Sequence, residues 1–457
     1  MRFAVPGIRD ASRISAATLF VSHRPRRRFS QLPAAKRQPY WQKIHLWKDV
    51  SEEQFLSYRW QVANSIQGTS KLSAFLTNVL PNIIPHTARS ESRHGHIKTR
   101  NNLIEDMLEG LGKAPMALRV TPHILSVIDW KIPLEDPIFR QFLPLGSNIL
   151  PDHPMLTLDS LQEEADSPVP GLIHRYPDKV LFLATSVCPI YCRFCTRSYA
   201  VGANTDTVAK HSQKPSRKRW EAMYFYIERT PKISDIVVSG GDAYYLQPEH
   251  VVEIGTRLLS IPHIRRIRYA SKGLAVCPSR ILDTKDAWAA ALISLSNRGR
   301  ERGKHVALHT HFNHPNEISW VTELAAQYLY EKGVVVRNQT VLLRGVNDDV
   351  DTMRSLIRRL ADMNVQPYYV YQGDMVRGIE DLRTPLQTIL DLEENIRGTI
   401  AGFLTPSFVV DLPGGGGKRL AASYRTYDRK SGVSAFVAPN VKGGQTVYKY
   451  YDPVANN

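Results

Sequence analysis

Three of the chain's four cysteines sit within one short string, "VCPIYCRFCTR" at 187–197, as Cys188, Cys192 and Cys195. A thiol-poor chain that gathers its thiols this way points to metal ligation or redox chemistry in a reducing compartment, not to a disulfide framework. Spaced C-x3-C-x2-C, the three can hold three irons of a [4Fe-4S] cluster, which ordinarily takes four thiolates, and leave one iron open to an outside ligand. The competing use is zinc, but zinc sites usually show a second ligand pair at C-x2-C or H-x3-H spacing, and the trio alone has none. Cys277 in "GLAVCPSR" could complete a cluster. A single cysteine with apolar neighbours is more often a small buried hydrophobe.

Other strings carry chemistry further on. "SGGD" supplies Ser239, Gly240, Gly241 and Asp242, and glycines at a strand end let backbone come close to a ligand. "HTHFNH" offers His309, His311 and His314; the first two share a strand face, so a metal site is conceivable there. Gln339 follows in "NQT" and Asp374 in "YQGD". "DLPGGGGK", from Asp411 to Lys418, looks at first like a phosphate loop. That motif needs G-x4-G-K-[ST], and here Leu412 takes the first glycine position and Arg419 follows the lysine, so the phosphate-loop reading fails.

These residues need elements to position them. Short apolar runs at 179–187, 234–242, 264–271, 305–311, 333–340 and 366–374 read as strands. Helical patterns separate them at 217–230, 248–260, 280–296, 317–332 and 350–363. Six strands alternating with helices predict an α/β fold with a parallel sheet. Six βα units are too few for an eight-stranded barrel, so an open, partial barrel is expected. The cysteines, "SGGD", the histidines, "NQT" and "YQGD" all fall at C-terminal strand ends, the rim that carries chemistry in barrels of this kind. Before the barrel, 41–165 reads as a helical region with no catalytic signature, with one helix expected over 52–66. The basic stretches 201–219 and 297–304 read as solvated surface loops. The barrel is assigned to 166–420, and 421–457 reads as a tail without a function.

The net charge of +16 suggests nucleic acid, but its distribution does not. Residues 1–43 hold ten Lys/Arg against one acid, Asp10, with abundant Ser and Ala. That composition predicts a mitochondrial transit peptide over 1–40, cut near Phe29 and Ser30 in "RRRFSQL", and a matrix location, with the cytoplasm as the alternative. No apolar run approaches the roughly 18 residues of a membrane span. Neither nucleic acid nor membrane is expected as a partner.

C-x3-C-x2-C after the first strand, with "SGGD" one unit later, resembles the radical S-adenosylmethionine enzymes. More specifically, "SPVPGLIHRYPDKVLFLATSVCPIYCRFCTR", "HTHFNHPNEIS", "NQTVLLRGVND", "QPYYVYQGDM" and "FVVDLPGGGGK" together resemble the lysine 2,3-aminomutase family, in the family's order, from about residue 45 to about 420. The resemblance implies a radical S-adenosylmethionine barrel that interconverts L-lysine and L-β-lysine by 2,3-amino migration. It implies a [4Fe-4S] cluster on Cys188, Cys192 and Cys195, with S-adenosylmethionine on the open iron and against Ser239, Gly240, Gly241, Asp242, His311 and Gln339. Lys418 would carry pyridoxal phosphate as a Schiff base, acting as a neutral amine in a water-shielded site. Arg175 and Tyr176 would hold its phosphate. Arg197 would take the substrate carboxylate, and Asp374 and Asp411 the distal ammonium. No metal is expected at the histidines.

The chain departs from the family's bacterial pattern in two places. Those enzymes follow "CTR" with further arginines, where this chain has "SYAVG". They also bind zinc through a cysteine in the "LLRGVND" block and a C-terminal cysteine cluster. Here Asp349 stands at the first position and 419–457 has no cysteine, so no zinc is predicted; a homo-oligomer is left open. Alternative substrates are a protein-bound lysyl residue or another basic amino acid, and a different class is a non-catalytic iron–sulfur protein. An electron donor would complete the partners.

Overall fold

The computed structural model describes residues 37–211, 214–438, 441 and 444–454. Pro39–Asn457 forms one compact unit. The segment expected to be a transit peptide lies, up to residue 36, outside the described residues. Among the described residues no helix is long and apolar enough to cross a membrane.

The architecture is α/β, an open barrel built on one nine-stranded sheet. Its strands are β1 Leu172–Tyr176, β2 Lys179–Thr185, β3 Asp235–Gly240, β4 Arg266–Ala270, β5 His305–Thr310, β6 Val335–Val341, β7 Val365–Tyr371, β8 Ser407–Leu412 and β9 Gly417–Leu420. Spatial order follows sequence order. Neighbours from β2 to β8 pair parallel. The two edge strands, β1 and β9, pair antiparallel. Six helices join the parallel strands: α1 Arg217–Glu228, α2 Pro248–Ser260, α3 Trp288–Glu301, α4 Trp320–Glu331, α5 Val350–Asp362 and α6 Leu386–Ile396. Local chemistry sets where they start. Ser216, Ser319 and Asp349 accept from the backbone N–H of Arg219, Thr322 and Thr352, and Pro248 opens α2. Asp349 is thus a helix cap.

The sheet has seven parallel strands rather than the expected six. The seventh, β8, is the apolar run "SFVVDL", whose last five residues are buried. The edges β1 and β9 do not pair, yet the Lys418 backbone N–H donates to the Tyr176 hydroxyl at 2.9 Å. The sheet therefore curls until its two ends meet through a side chain.

Three further expectations are corrected. The helix expected over 52–66 is two, Glu52–Leu56 and Tyr58–Ala63, because the Tyr58 N–H is drawn to Asp283 (2.8 Å) and Ser57 recaps the chain. The stretch 297–304 is mostly the last turns of α3, and 201–219 is partly internal: Val201 is buried, Lys210 donates to the Pro115 and Ser198 carbonyls, and Arg219 to those of Leu183 and Ala184. The "tail" is folded. Strands β10 Thr426–Asp428, β11 Val433–Val437 and β12 Val447–Tyr451 form an antiparallel sheet. Tyr450 on β12 is buried and anchors it, donating to the Gly373 carbonyl at 2.8 Å.

Candidate functional site

The barrel encloses a cavity of about 370 Å³. All three clustered cysteines, Ser239 to Asp242, His311, Gln339, Arg175, Tyr176, Arg197, Asp374, Asp411 and Lys418 line it. Residues as far apart in sequence as Arg175 and Lys418 thus share one space of ligand size, open on one side. Cys277 does not line it; it is buried with its thiol 3.6 Å from the Ser279 hydroxyl.

The cysteines occupy the loop after β2. Their side chains face the cavity but are enclosed by protein, and burial pushes all three thiols up, with Asp242 adding to it at Cys188. Thiolates at such sites are made by the metal they bind. Among the described residues no three His, Cys, Asp or Glu converge closely enough for a single ion. A cluster ties each thiolate to a different iron and asks for wider spacing, so three thiols on one cavity wall fit it.

The glycines at the end of β3 do something the sequence did not specify. A Cβ on Gly240, whose φ is +116°, would fall 2.0 Å from the Thr185 carbonyl oxygen, and one on Gly241 would fall 2.6 Å from Val187 backbone. The Gly241 N–H donates to Thr185 O at 2.6 Å, and Asp242 N–H to Val187 O at 3.0 Å. The run is pressed against the root of the cysteine loop and fixes it. Asp242 accepts from the backbone N–H groups of Tyr244 (2.7 Å) and Lys272 (2.8 Å), so its carboxylate ties β3 to β4. His311, stacked on Phe194 at 5.6 Å, is held well below the usual imidazole range by burial and by Lys272, and is neutral.

The other half of the site forms where the sheet's ends meet. Asp411 on β8 and Lys418 on β9 are direct cross-strand partners, and Lys418 Nζ donates to Asp411 Oδ2 at 2.6 Å. Burial pulls the ammonium down, but Asp411 with the Tyr371 and Tyr176 phenols outweighs it and Lys418 lies well above the ordinary lysine range. The pairing with Asp411 thus favours the ammonium. Asp374, after β7, accepts from Thr196 Oγ1 at 2.7 Å. Burial and Asp411 push it up to about 7, against the Thr196 hydrogen bond and Lys418. Asp374 Oδ1 and Asp411 Oδ1 are buried with no hydrogen-bond partner.

Both arginines expected to bind anions have carboxylate partners. Arg197 donates from Nε and Nη2 to Glu163 at 2.7 and 2.6 Å, and Arg175 donates from Nε to Asp166 at 2.6 Å. Sequence reasoning missed Glu163 and also Lys179, which lines the cavity 3.7 Å from the centre of the Tyr176 ring. Burial, Lys418 and Arg268 pull Lys179 down to about 8. Its place in "HRYPDK", four residues after Arg175, was the available signal. With Arg175 it makes a cationic wall beside Lys418, which fits a phosphate-bearing aldehyde cofactor.

No protein-family model matches the chain. L-lysine 2,3-aminomutase of Bacillus subtilis is 35% identical over 381 residues, 83% of this chain and 71% of that one. Glutamate 2,3-aminomutase of Clostridioides difficile is 29% identical over 377 residues, 82% and 79% of the two. Among solved structures, Streptococcus suis SuiB bound to S-adenosylmethionine aligns at TM-score 0.37 and 12% identity over 52% of this chain and 51% of that one, too distant to bear on the fold. L-lysine 2,3-aminomutase of Clostridium subterminale is 37% identical over 378 residues. That match takes in 82% of this chain and 80% of the relative, so the likeness is one of whole molecules, and the chain belongs to the lysine 2,3-aminomutase family.

Proposed function

We propose that this aminomutase interconverts free L-lysine and L-β-lysine, with a [4Fe-4S] cluster on Cys188, Cys192 and Cys195, S-adenosylmethionine, and pyridoxal phosphate on Lys418. The observation that carries the substrate reading is the carboxylate pair. Asp374 and Asp411 each keep one buried oxygen without a donor. Leaving such oxygens unpaired is costly, and an ammonium with three N–H groups answers both. A substrate ending in a second carboxylate would meet like charge there.

When bound, the cluster and S-adenosylmethionine supply a radical that takes hydrogen from carbon, and pyridoxal phosphate carries the nitrogen that moves. The chain's own residues orient and protect. Arg197 takes the α-carboxylate, Asp374 and Asp411 fix the far end, and C3 is thereby held between them. Asp411 Oδ2 orients Lys418 Nζ, which must lose a proton before that nitrogen can react with a carbonyl. Arg175 and Lys179 balance a phosphate. The partly buried His311, whose imidazole is held well below its usual range, and Gln339 offer uncharged contacts to S-adenosylmethionine.

The test is anaerobic reconstitution with iron, sulfide, pyridoxal phosphate, S-adenosylmethionine and a reductant, followed by L-lysine, L-glutamate or a lysyl peptide. β-Lysine from free lysine alone, lost in Lys418→Ala and Cys192→Ala, is the expected result. Cleavage of S-adenosylmethionine without β-lysine would overturn the free-lysine assignment, and turnover of the peptide would replace it.

A further inference from the structure

One short turn touches both arginines of the site. In the turn at 159–166, the carboxylate of Asp159 accepts from the N–H groups of Glu163 (2.9 Å) and Glu164 (3.1 Å), and Gln162 takes a positive φ of 52°. Glu163, its side chain 5% exposed, grips Arg197 through Nε and Nη2. Tyr199 donates its hydroxyl to Glu163 Oε2 at 3.0 Å. Three residues on, Asp166 grips Arg175 through Nε, while Arg175 Nη2 donates to the Leu161 carbonyl. The same turn receives the Gly414 N–H on the Ser160 carbonyl at 2.8 Å, and so also touches the glycine run that leads to Lys418.

The geometry has a common logic. Among the described residues, both guanidiniums bond to the turn through Nε and Nη2. A planar fork held along one edge has fixed orientation, and its remaining donors point where that edge leaves them. Both arginines line the cavity. We propose that the turn at 159–166 is the positioning element of the site, with Glu163 aiming Arg197 at the substrate carboxylate and Asp166 aiming Arg175 at the cofactor phosphate. This rests on the function proposed above and adds two positioning residues and a division of labour between them. Tyr199 is the third member, holding the Glu163 carboxylate through its hydroxyl.

The division is what an experiment can break. Pyridoxal phosphate is titrated into the full chain and followed by the absorbance of the bound cofactor. L-Lysine is then titrated into the loaded protein and followed by the change in that absorbance, with no turnover needed. Asp166→Asn is expected to weaken pyridoxal phosphate about tenfold and leave lysine binding at saturating cofactor unchanged, the loss of a charge-assisted hydrogen bond. Glu163→Gln is expected to weaken lysine about tenfold and leave the cofactor titration unchanged. A role confined to holding the fold would move both constants together. Variants that titrate like the wild type, lose both ligands together, or bind lysine more tightly overturn the positioning role. Wild-type protein that takes up neither ligand overturns the proposed function itself, a result the variants are not needed to reach.

Discussion

The two halves of the cavity are held by different forces. Around the cysteine loop the glycine run packs backbone on backbone, Gly240 and Gly241 against Thr185 and Val187 with no room for a methyl group, beside one buried ion pair, Arg193 with Asp381. Where the sheet's ends meet, the contacts are charged side chains, Lys418 with Asp411, Arg197 with Glu163 and Arg175 with Asp166. Backbone packing gives a rigid seat and tolerates no substitution. Ion pairs give positions that can exchange partners, which suits the proposed competition of a substrate ammonium with Lys418 for the same aspartate. The first half should fail by losing shape and the second by losing charge.

The largest effect is therefore expected in the backbone half. Gly240→Ala places a Cβ 2.0 Å from a carbonyl oxygen at a φ of +116°. Strain and overpacking together should cost about 3 kcal/mol or more. Thermal unfolding should shift down, and iron–sulfur absorbance after reconstitution should be lost. A Gly240→Ala protein that unfolds like wild type would remove the contrast between the halves.

In the charged half, Asp411→Asn leaves the Lys418 ammonium without its partner. Breaking a partly buried pair from one side costs roughly 1–3 kcal/mol, below the fully buried case because the Lys418 side chain is 27% exposed. Burial then acts unopposed by that carboxylate, so Lys418 should titrate lower. The expected result is a lower denaturation midpoint at neutral pH together with weakened lysine binding. Iron–sulfur loading should be intact, which separates this variant from Gly240→Ala.

A pH effect sharpens the same contrast. Asp374 is pushed up to about 7 by burial and Asp411. Its ionised form is the one that can hold an ammonium, so binding should be full above about pH 7 and fall as pH drops through it. On kcat/KM for lysine this predicts an acid limb near 7, falling about tenfold per unit below it. Thr196→Val removes the 2.7 Å hydrogen bond that favours the ionised form, so the limb should move to higher pH. An unmoved limb would detach it from Asp374.

The same division explains what the sequence disclosed. The six parallel strands β2 to β7 were legible as apolar runs, and the rim residues at their ends were legible as strings of unusual composition. The seventh strand and both edges were not, because "LIHRY" and "GKRL" are short and polar and "SFVVDL" merges into the cofactor string. Glu163 was invisible because its role lies in Arg197, 34 residues away, and no local periodicity links them. The helix break at Ser57 depends on Asp283, 225 residues beyond Tyr58. The pairing of Asp411 with Lys418 was hidden for a related reason: it is set by the register of β8 on β9, which composition does not contain.

The smallest expected effect tests whether the C-terminal sheet belongs to the charged half. Tyr450 donates to the Gly373 carbonyl at 2.8 Å and accepts from Gln372 Nε2 at 3.1 Å, with the Arg383 guanidinium 5.4 Å from its ring centre. Gln372 and Gly373 directly precede Asp374, so the sheet braces the backbone that presents one of the two aspartates. Tyr450→Phe keeps the ring and removes both hydrogen bonds, a loss of about 1 kcal/mol. Unfolding should shift only slightly. KM for lysine should rise about two- to threefold with kcat unchanged, because a fraction of 1 kcal/mol reaches the ammonium contact through Asp374. If KM stays fixed while stability falls, the sheet is a cover for the barrel end and Asp374 is held from the Thr196 side alone.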